Sequence, residues 1–438
     1  MTIGAKAIAI QGPLGNAAGV ALQGGSTPIG AGLLLPEMGA GPYKLSDGGI
    51  YLRSGTAVPA ANYPAAAQSD LLKVYGIQQN GLPTPVVASS WATNGAGIFV
   101  VVSAGNFTGQ QIIVSRDNGQ SFQNASVNFA LGNAPVSDVA WSAALNLFIA
   151  VGSYQNAILV STSPDAVTWS QAATISGTTI YGPRIAVNGA VIAIAANQND
   201  LNPQTQVWRS SNAVNWSQAA LAQTISSNGI ALQLVATGGR FFLVGGRSNG
   251  SAVLGYQSTD GTTWTNASLP DYSIQNARIC AGGGVFLFAR FSQLWTSTDL
   301  GTWTAITTAP GFGGGYPSAL GLLGIPSFIN GAFLIPTACN SPTFRDVNFL
   351  SLSLDGVLKL RWLAGQTSAV ANDCPLLIGA GSTLIGMNSG VQNSGSAANT
   401  KYWRTTGWPA PDYVGTPLTA GVQGPNGQSN LVYYPRIG

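Results

Sequence analysis

The sequence predicts an all-β protein: a seven-bladed β-propeller with four-stranded antiparallel blades, preceded by an extended Gly/Ala-rich N-terminal segment. Three observations predict it. A turn pattern, Ser-x-Asp-Gly-x-x-Trp with variants, recurs along most of the chain. A short apolar strand after a turn residue recurs upstream of each copy. No stretch shows a long apolar period of about 3.6 residues, so helices should be few.

The clearest turn copy is Ser258-Thr259-Asp260-Gly261-Thr262-Thr263-Trp264. Related copies centre on Asp117, Asp165, Asn212 and Asp299; a stretched one runs from Ser353 and Asp355 to Trp362, and a degenerate one covers 404–408. Their closing aromatics are Phe122, Trp169, Trp216, Trp264, Trp303, Trp362 and Trp408, between 39 and 59 residues apart. The second marker begins at Gly97, Asn146, Gly189, Gly239, Gly284, Gly331 and Ser382. Each unit holds about four short runs rich in Val, Ile and aromatics, split by Gly, Asn and Ser. A period of about 40–50 residues with four strands per unit is that of a propeller blade. The residues just before the first full unit, near Val86 to Trp91, are expected to close the ring against the last blade and so cover exposed strand edges.

Residues 1–80 do not follow the repeat; they are rich in Gly and Ala and carry Pro at 13, 28, 36, 42, 59 and 64. The expected division is therefore an N-terminal segment at 1–80, the propeller at 81–410 and an extended tail at 411–438. The tail ends in Tyr433-Tyr434-Pro435-Arg436-Ile437-Gly438 and is expected to cross the propeller or reach a neighbour.

Composition excludes several functions. The 438 residues contain no histidine, which removes His-based triads, bases and metal sites. Glu37 is the one glutamate, leaving thirteen aspartates for any carboxylate chemistry. Charged residues are 7% and the net charge is +3, too little for a nucleic-acid grip. Cys280, Cys339 and Cys374 are far apart and form no CxxC pair; they read as small apolar side chains. No apolar run approaches the ~20 residues of a membrane span, and no cleaved signal is visible. Asn197-Gln198-Asn199-Asp200 has one carboxylate, too few for a calcium loop. No cofactor or metal is expected.

The repeated turn resembles the Asp-box, or BNR repeat, of sialidases, other propeller hydrolases and many non-enzymatic propellers. The resemblance implies a structural motif between the third and fourth strands of a blade. Asp117, Asp165, Asn212, Asp260, Asp299 and Asp355 would hold the turns, and Trp169, Trp216, Trp264 and Trp303 would pack between sheets. Elementary chemistry agrees: a short Asx or Ser side chain satisfies turn amides, and Trp buries a large area. The sialidase machinery the resemblance would bring does not fit. It needs a glutamate-assisted tyrosine, and Glu37 lies outside the ring. Asp138, Asp200, Asp271, Asp346, Asp373 and Asp412 remain outside the turns and the first eighty residues and form no recognisable pair, so an Asp-box glycoside hydrolase is the weakest alternative and no catalytic residue is expected.

The string Tyr43-Lys44-Leu45-Ser46-Asp47-Gly48-Gly49-Ile50-Tyr51-Leu52-Arg53-Ser54-Gly55-Thr56, then Tyr63-Pro64, resembles a segment of tailed-bacteriophage fibre and other virion proteins that precedes a tip domain. It implies a structural virion protein of the tail fibre, baseplate or collar, made in the host cytoplasm. Residues 1–80 would contact other virion proteins and oligomerise, as a trimer by analogy. The propeller would serve host attachment by binding a cell-surface receptor, glycan or protein. A purely decorative virion component and a bacterial surface propeller stay open.

In a blade, the loops between second and third strands and the links to the next blade share one face. A ligand would meet Asn106, Phe107, Tyr154, Tyr181, Arg184, Asn199, Arg247, Tyr272, Tyr316 and Arg345 there. These are side chains that hydrogen-bond and stack, carried on loops that a rigid ring positions.

Overall fold

The computed structural model describes residues 6–10, 17–22, 32–36, 43–44, 50–51, 78–103, 112–129, 134–154, 156–177, 180–198, 205–221, 232–245, 254–271, 277–290, 293–306, 325–337, 346–356, 358–367, 375–388, 399–405 and 431–435. All regular structure among them is strand. Five short strands come first: β1 (Lys6–Ile10), β2 (Ala17–Leu22), β3 (Gly32–Pro36), β4 (Tyr43–Lys44) and β5 (Ile50–Tyr51). β6 (Gln78–Val86) begins just inside the expected N-terminal segment. β7 (Ala88–Thr93), β8 (Phe99–Ser103), β9 (Ile112–Ser115) and β10 (Gln123–Ala125) form an antiparallel sheet. β11 (Val136–Ser142), β12 (Leu147–Tyr154), β13 (Ala157–Ser163) and β14 (Ser170–Ser176) form the next.

Then come β15 (Ile180–Asn188), β16 (Val191–Gln198), β17 (Thr205–Ser210) and β18 (Ser217–Leu221), followed by β19 (Gln233–Thr237), β20 (Arg240–Gly245), β21 (Leu254–Ser258) and β22 (Thr263–Ala267). These two antiparallel runs join into one eight-stranded sheet where β18 lies parallel to β22, Ala220 opposite Thr263. β23 (Arg278–Gly282), β24 (Val285–Arg290), β25 (Gln293–Ser297) and β26 (Thr304–Ile306) make another sheet. So do β27 (Ser327–Ile329), β28 (Ala332–Thr337), β29 (Asp346–Ser353) and β30 (Leu358–Thr367). The last contains β31 (Pro375–Ala380), β32 (Thr383–Asn388), β33 (Asn399–Thr405) and, as its outer strand, β6. β34 (Leu431–Pro435) pairs with β3, so the tail returns to the N-terminal segment.

The first strands follow one another around an axis. β7 lies beside β11, then β15, β19, β23, β27 and β31 in turn, and β31 lies beside β7. The architecture is an all-β propeller. Residues 78–86 close it, whereas Ala88–Thr93, also expected in the closing stretch, starts the first sheet instead.

The core sits between sheets. On β12, Phe148 and Ala150 enter the cluster shared with the preceding sheet, and Ile149 and Val151 enter the cluster shared with the next. On β20, Phe241 and Leu243 point one way and Phe242 and Val244 the other. Both faces of these strands are covered, which is why they read as unbroken apolar runs. The closing seam adds hydrogen bonds. Tyr402, 2% exposed, shares its one hydroxyl hydrogen between Gln120 O at 2.7 Å and Gly119 O at 3.1 Å, and Arg404 Nε reaches Asn118 O at 2.9 Å.

The repeated turns join each third strand to its fourth. Asp260 Oδ1 accepts from Thr262 N at 2.7 Å, Thr263 N at 3.0 Å and Ser258 Oγ at 3.0 Å, while Ser258 Oγ accepts from Gly261 N at 2.8 Å. Asp165 and Asp299 repeat this, and Asn212 does so without charge. Asp117 takes Ser121 N and Oγ instead; Ser353 Oγ donates to Asp355. Trp169 and Trp264 are buried, and Trp216 and Trp303 are half-buried against the same seams. Trp303 Nε1 crosses to Ser268 O of the preceding run at 2.8 Å. Trp362 has no described side chain, and Trp408 lies outside the described residues.

The residue after the turn acid has positive φ: 72° at Gly261, 63° at Ala166, 62° at Ala213 and 61° at Leu300. A left-handed non-glycine residue costs about 1–2 kcal/mol. Leu300 is fully buried, and burying a Leu is worth about 1.5–3 kcal/mol, so packing wins there.

Three outcomes follow. Leu300→Gly lowers stability by about 1 kcal/mol or more in denaturant unfolding, whereas Ala166→Gly changes it by less than about 1 kcal/mol, because a single methyl roughly balances the relieved strain. Tyr402→Phe lowers stability by about 1–2 kcal/mol, since the buried Gly119 carbonyl loses its donor while Gln120 O keeps Asn80 Nδ2. The turn amides of Thr168 and Val167 at Asp165, Thr263 and Thr262 at Asp260, and Thr302 and Gly301 at Asp299 hold these carboxyls below the ordinary 3.8. Their stabilisation is present above 3.8 and is lost as pH falls through the lowered values. The triple Asp→Asn variant therefore shows a shallower acid limb in a stability-against-pH profile, and an unchanged limb would contradict the assignment.

Candidate functional site

Each first strand starts on the face where the link from the preceding sheet arrives. Antiparallel order then puts the loops between second and third strands on that same face and the Ser-x-Asp turns on the other. At the starting ends of the first strands a polar girdle surrounds a central cavity of about 700 Å³. Its members occupy equivalent places on successive strands: Ser90 on β7, Asp138 on β11, Arg184 on β15, Gln233 on β19 and Arg278 on β23.

Ser90, Asp138, Arg184 and Gln233 each grip a neighbouring strand. Ser90 Oγ donates to Asp138 Oδ1. Asp138 Oδ2 accepts from Ile185 N at 3.0 Å, and Oδ1 from Val139 N at 2.9 Å. Arg184 donates Nη1 to Ser137 O at 3.0 Å and Nε to Leu232 O at 3.2 Å, tying three strands. Gln233 donates Nε2 to Ala277 O at 2.9 Å and accepts from Ile279 N at 2.9 Å. Arg278 Nη1 donates to Ala277 O at 3.1 Å. Trp91 Nε1 reaches Ser327 Oγ at 3.2 Å, linking β7 to β27. Further from the girdle the wall is apolar, with Trp141, Val187, Val235 and Phe328.

The girdle's electrostatics are set by depth. Asp138 touches the cavity but lies within the protein mass, and burial pushes its carboxyl up. The Arg184 charge and the bonds from Ser90, Ile185 and Val139 oppose that push without cancelling it. Among the described lining residues Asp138 is the one carboxylate. Burial drives the nearby Cys280 thiol up to about 12, so it stays protonated and unreactive.

Of the expected loop residues, Tyr154 ends β12 and is 39% exposed. Tyr181 and Arg184 are corrections: both lie within β15, not in a link. Gly182-Pro183 reads as a turn, but the strand absorbs it as a register shift between Tyr181 and Arg184. Arg184 thereby lines the cavity. Asn106, Phe107, Asn199, Arg247, Tyr272, Tyr316 and Arg345 lie outside the described residues. Of the six aspartates outside both the turns and the first eighty residues, Asp138 joins the girdle and Asp271 ion-pairs with Arg290. Sequence reasoning missed Ser90, Gln233, Arg278 and Ser327. Their near-regular spacing was the available signal, but their types differ.

No family model matches the chain, and no curated protein matches it. Solved structures similar to it include YCF48 bound to D1 peptide, with 14% identity over 75% of this chain and 96% of that one, at a TM-score of 0.48. A fungal lectin from Aleuria aurantia, described as a six-bladed β-propeller, has 11% identity over 67% and 99%, at 0.42. A Lactobacillus plantarum protein has 16% identity over 64% and 89%, at 0.42.

Asp138 gives stability a pH slope. Its raised pKa means the folded state holds the proton more tightly than the unfolded chain. Its contribution is fully present below the ordinary 3.8 and is lost as pH rises through the raised value. Asp138→Asn removes that loss. Its stability relative to the parent should rise with pH above 3.8, and a level difference in urea titrations across that range would contradict the burial assignment.

Proposed function

We propose that the chain is a structural virion protein of a tailed bacteriophage, and that its propeller binds a receptor on the host surface. We read the ring as seven blades of four strands. The eight-stranded sheet then counts as two blades whose outer strands touch, and β6 supplies the outer strand of the seventh. The turns are Asp-boxes in this reading, and Asp117, Asp165, Asp260 and Asp299 are occupied in holding them.

The observation that carries the binding role is the placement of the polar girdle. It lies at the starting ends of the first strands, opposite the turns, on the side where Tyr154 ends β12. One carboxylate among the described lining residues favours binding over glycoside hydrolysis, which uses two. The virion assignment rests on the 43–66 string. The pairing of β3 with β34 supports an anchor built from both ends of the chain. Partners are other virion proteins through residues 1–80, the receptor, and further copies of this chain in a trimer.

Labelled full-length protein added to a panel of bacterial hosts should bind saturably to a host and block phage adsorption. Mass spectrometry should find the chain in purified virions. Absence from virions overturns the assignment; presence without cell binding leaves a decorative component.

A further inference from the structure

The cavity wall is uneven in charge and chemistry. Arg184 uses Nε and Nη1 on the carbonyls of Leu232 and Ser137, bonds that fix the guanidinium plane at the wall. Among the described residues nothing accepts from its Nη2. Arg278 places a second cation on the same wall, with Gln233 between them. A fixed, half-exposed guanidinium matches the planar geometry of a carboxylate. Hydroxyl and amide groups at Ser90, Ser327 and Gln233 match sugar hydroxyls. Trp91, Trp141 and Phe328 offer aromatic faces on which the C–H face of a pyranose packs. About 700 Å³ is within the range of small-ligand sites and holds one or two sugar units.

We propose that the central cavity binds an acidic sugar, its carboxylate on Arg184 and its ring against the aromatic wall. This deepens the receptor reading, on which it rests for the source of the sugar. Asp138, the chain neighbour of the Ser137 carbonyl that holds Nη1, is near enough for its charge to act on the same guanidinium, and it sets a limit. Its negative form competes with the ligand for Arg184 and repels it. Two variants therefore act in opposite directions. Arg184→Gln removes the anchor. Asp138→Asn removes the competitor; its amide keeps an oxygen toward Ile185 N and an NH₂ toward Ser90 Oγ, at the loss of the bond from Val139 N.

Full-length protein is titrated with D-glucuronate, with D-glucose, which replaces the carboxylate by CH₂OH, and with acetate. Melting temperature and tryptophan fluorescence are read, since Trp91 and Trp141 line the cavity. Glucuronate should raise Tm and change the fluorescence, and glucose and acetate at equal concentration should do neither. Arg184→Gln should weaken glucuronate at least about tenfold, while Arg116→Gln, an exposed turn-face change, should not. Asp138→Asn should tighten it, by a factor that grows to about threefold or more as pH rises and Asp138 ionises. If Arg184→Gln fails to fold, Asp138→Asn decides. Equal responses to glucose or acetate, or weaker glucuronate binding by Asp138→Asn, would overturn the proposal. Saturable cell binding without any glucuronate response overturns it and leaves the receptor reading standing. Glucuronate binding with no cell binding supports the site and removes the receptor reading.

Discussion

Along each second strand, alternate side chains enter two different seams. Val100 and Val102 face one neighbour while Phe99 and Val101 face the other, and Phe286 and Leu287 divide in the same way. A sheet so built has no core of its own. Its apolar faces are satisfied only when a sheet stands on each side, and the first and last must then meet. Closure by β6, with Tyr402 and Arg404 gripping the loop at 118–120, follows from that requirement. So does the central cavity, because inner strands splayed around an axis leave space that their side chains must line.

The repeat was legible because its turns carry their own chemistry. An acid two residues after Ser, with Trp closing, names the residues that satisfy the turn amides, and these bonds are seen at Asp165, Asp260 and Asp299. The girdle was not legible, although its members sit at equivalent places. Ser90, Asp138, Arg184, Gln233 and Arg278 share a position but no common residue type, because the backbone and side-chain groups they bond differ from strand to strand. Arg184 was named from the sequence but placed on a link, because Gly182-Pro183 suggests one where the strand only shifts register. The union of β3 with β34 brings together segments from opposite ends of the chain and has no local signal.

Fold and site are thus coupled through the first strands. Their outward side chains build the seams. Their starting residues build a charged, hydrogen-bonded collar, which braces the ring and leaves an arginine at the wall of the cavity. The turn acids are confined to the opposite face and are consumed by backbone amides.

Hydrogen–deuterium exchange on the intact full-length protein tests the two-sided burial most directly. Slow amides of β8, β12, β16, β20, β24 and β32 should exchange with a common opening free energy, since loss of any seam exposes two sheets. Distinct opening energies for successive sheets, with each sheet exchanging on its own, would contradict it.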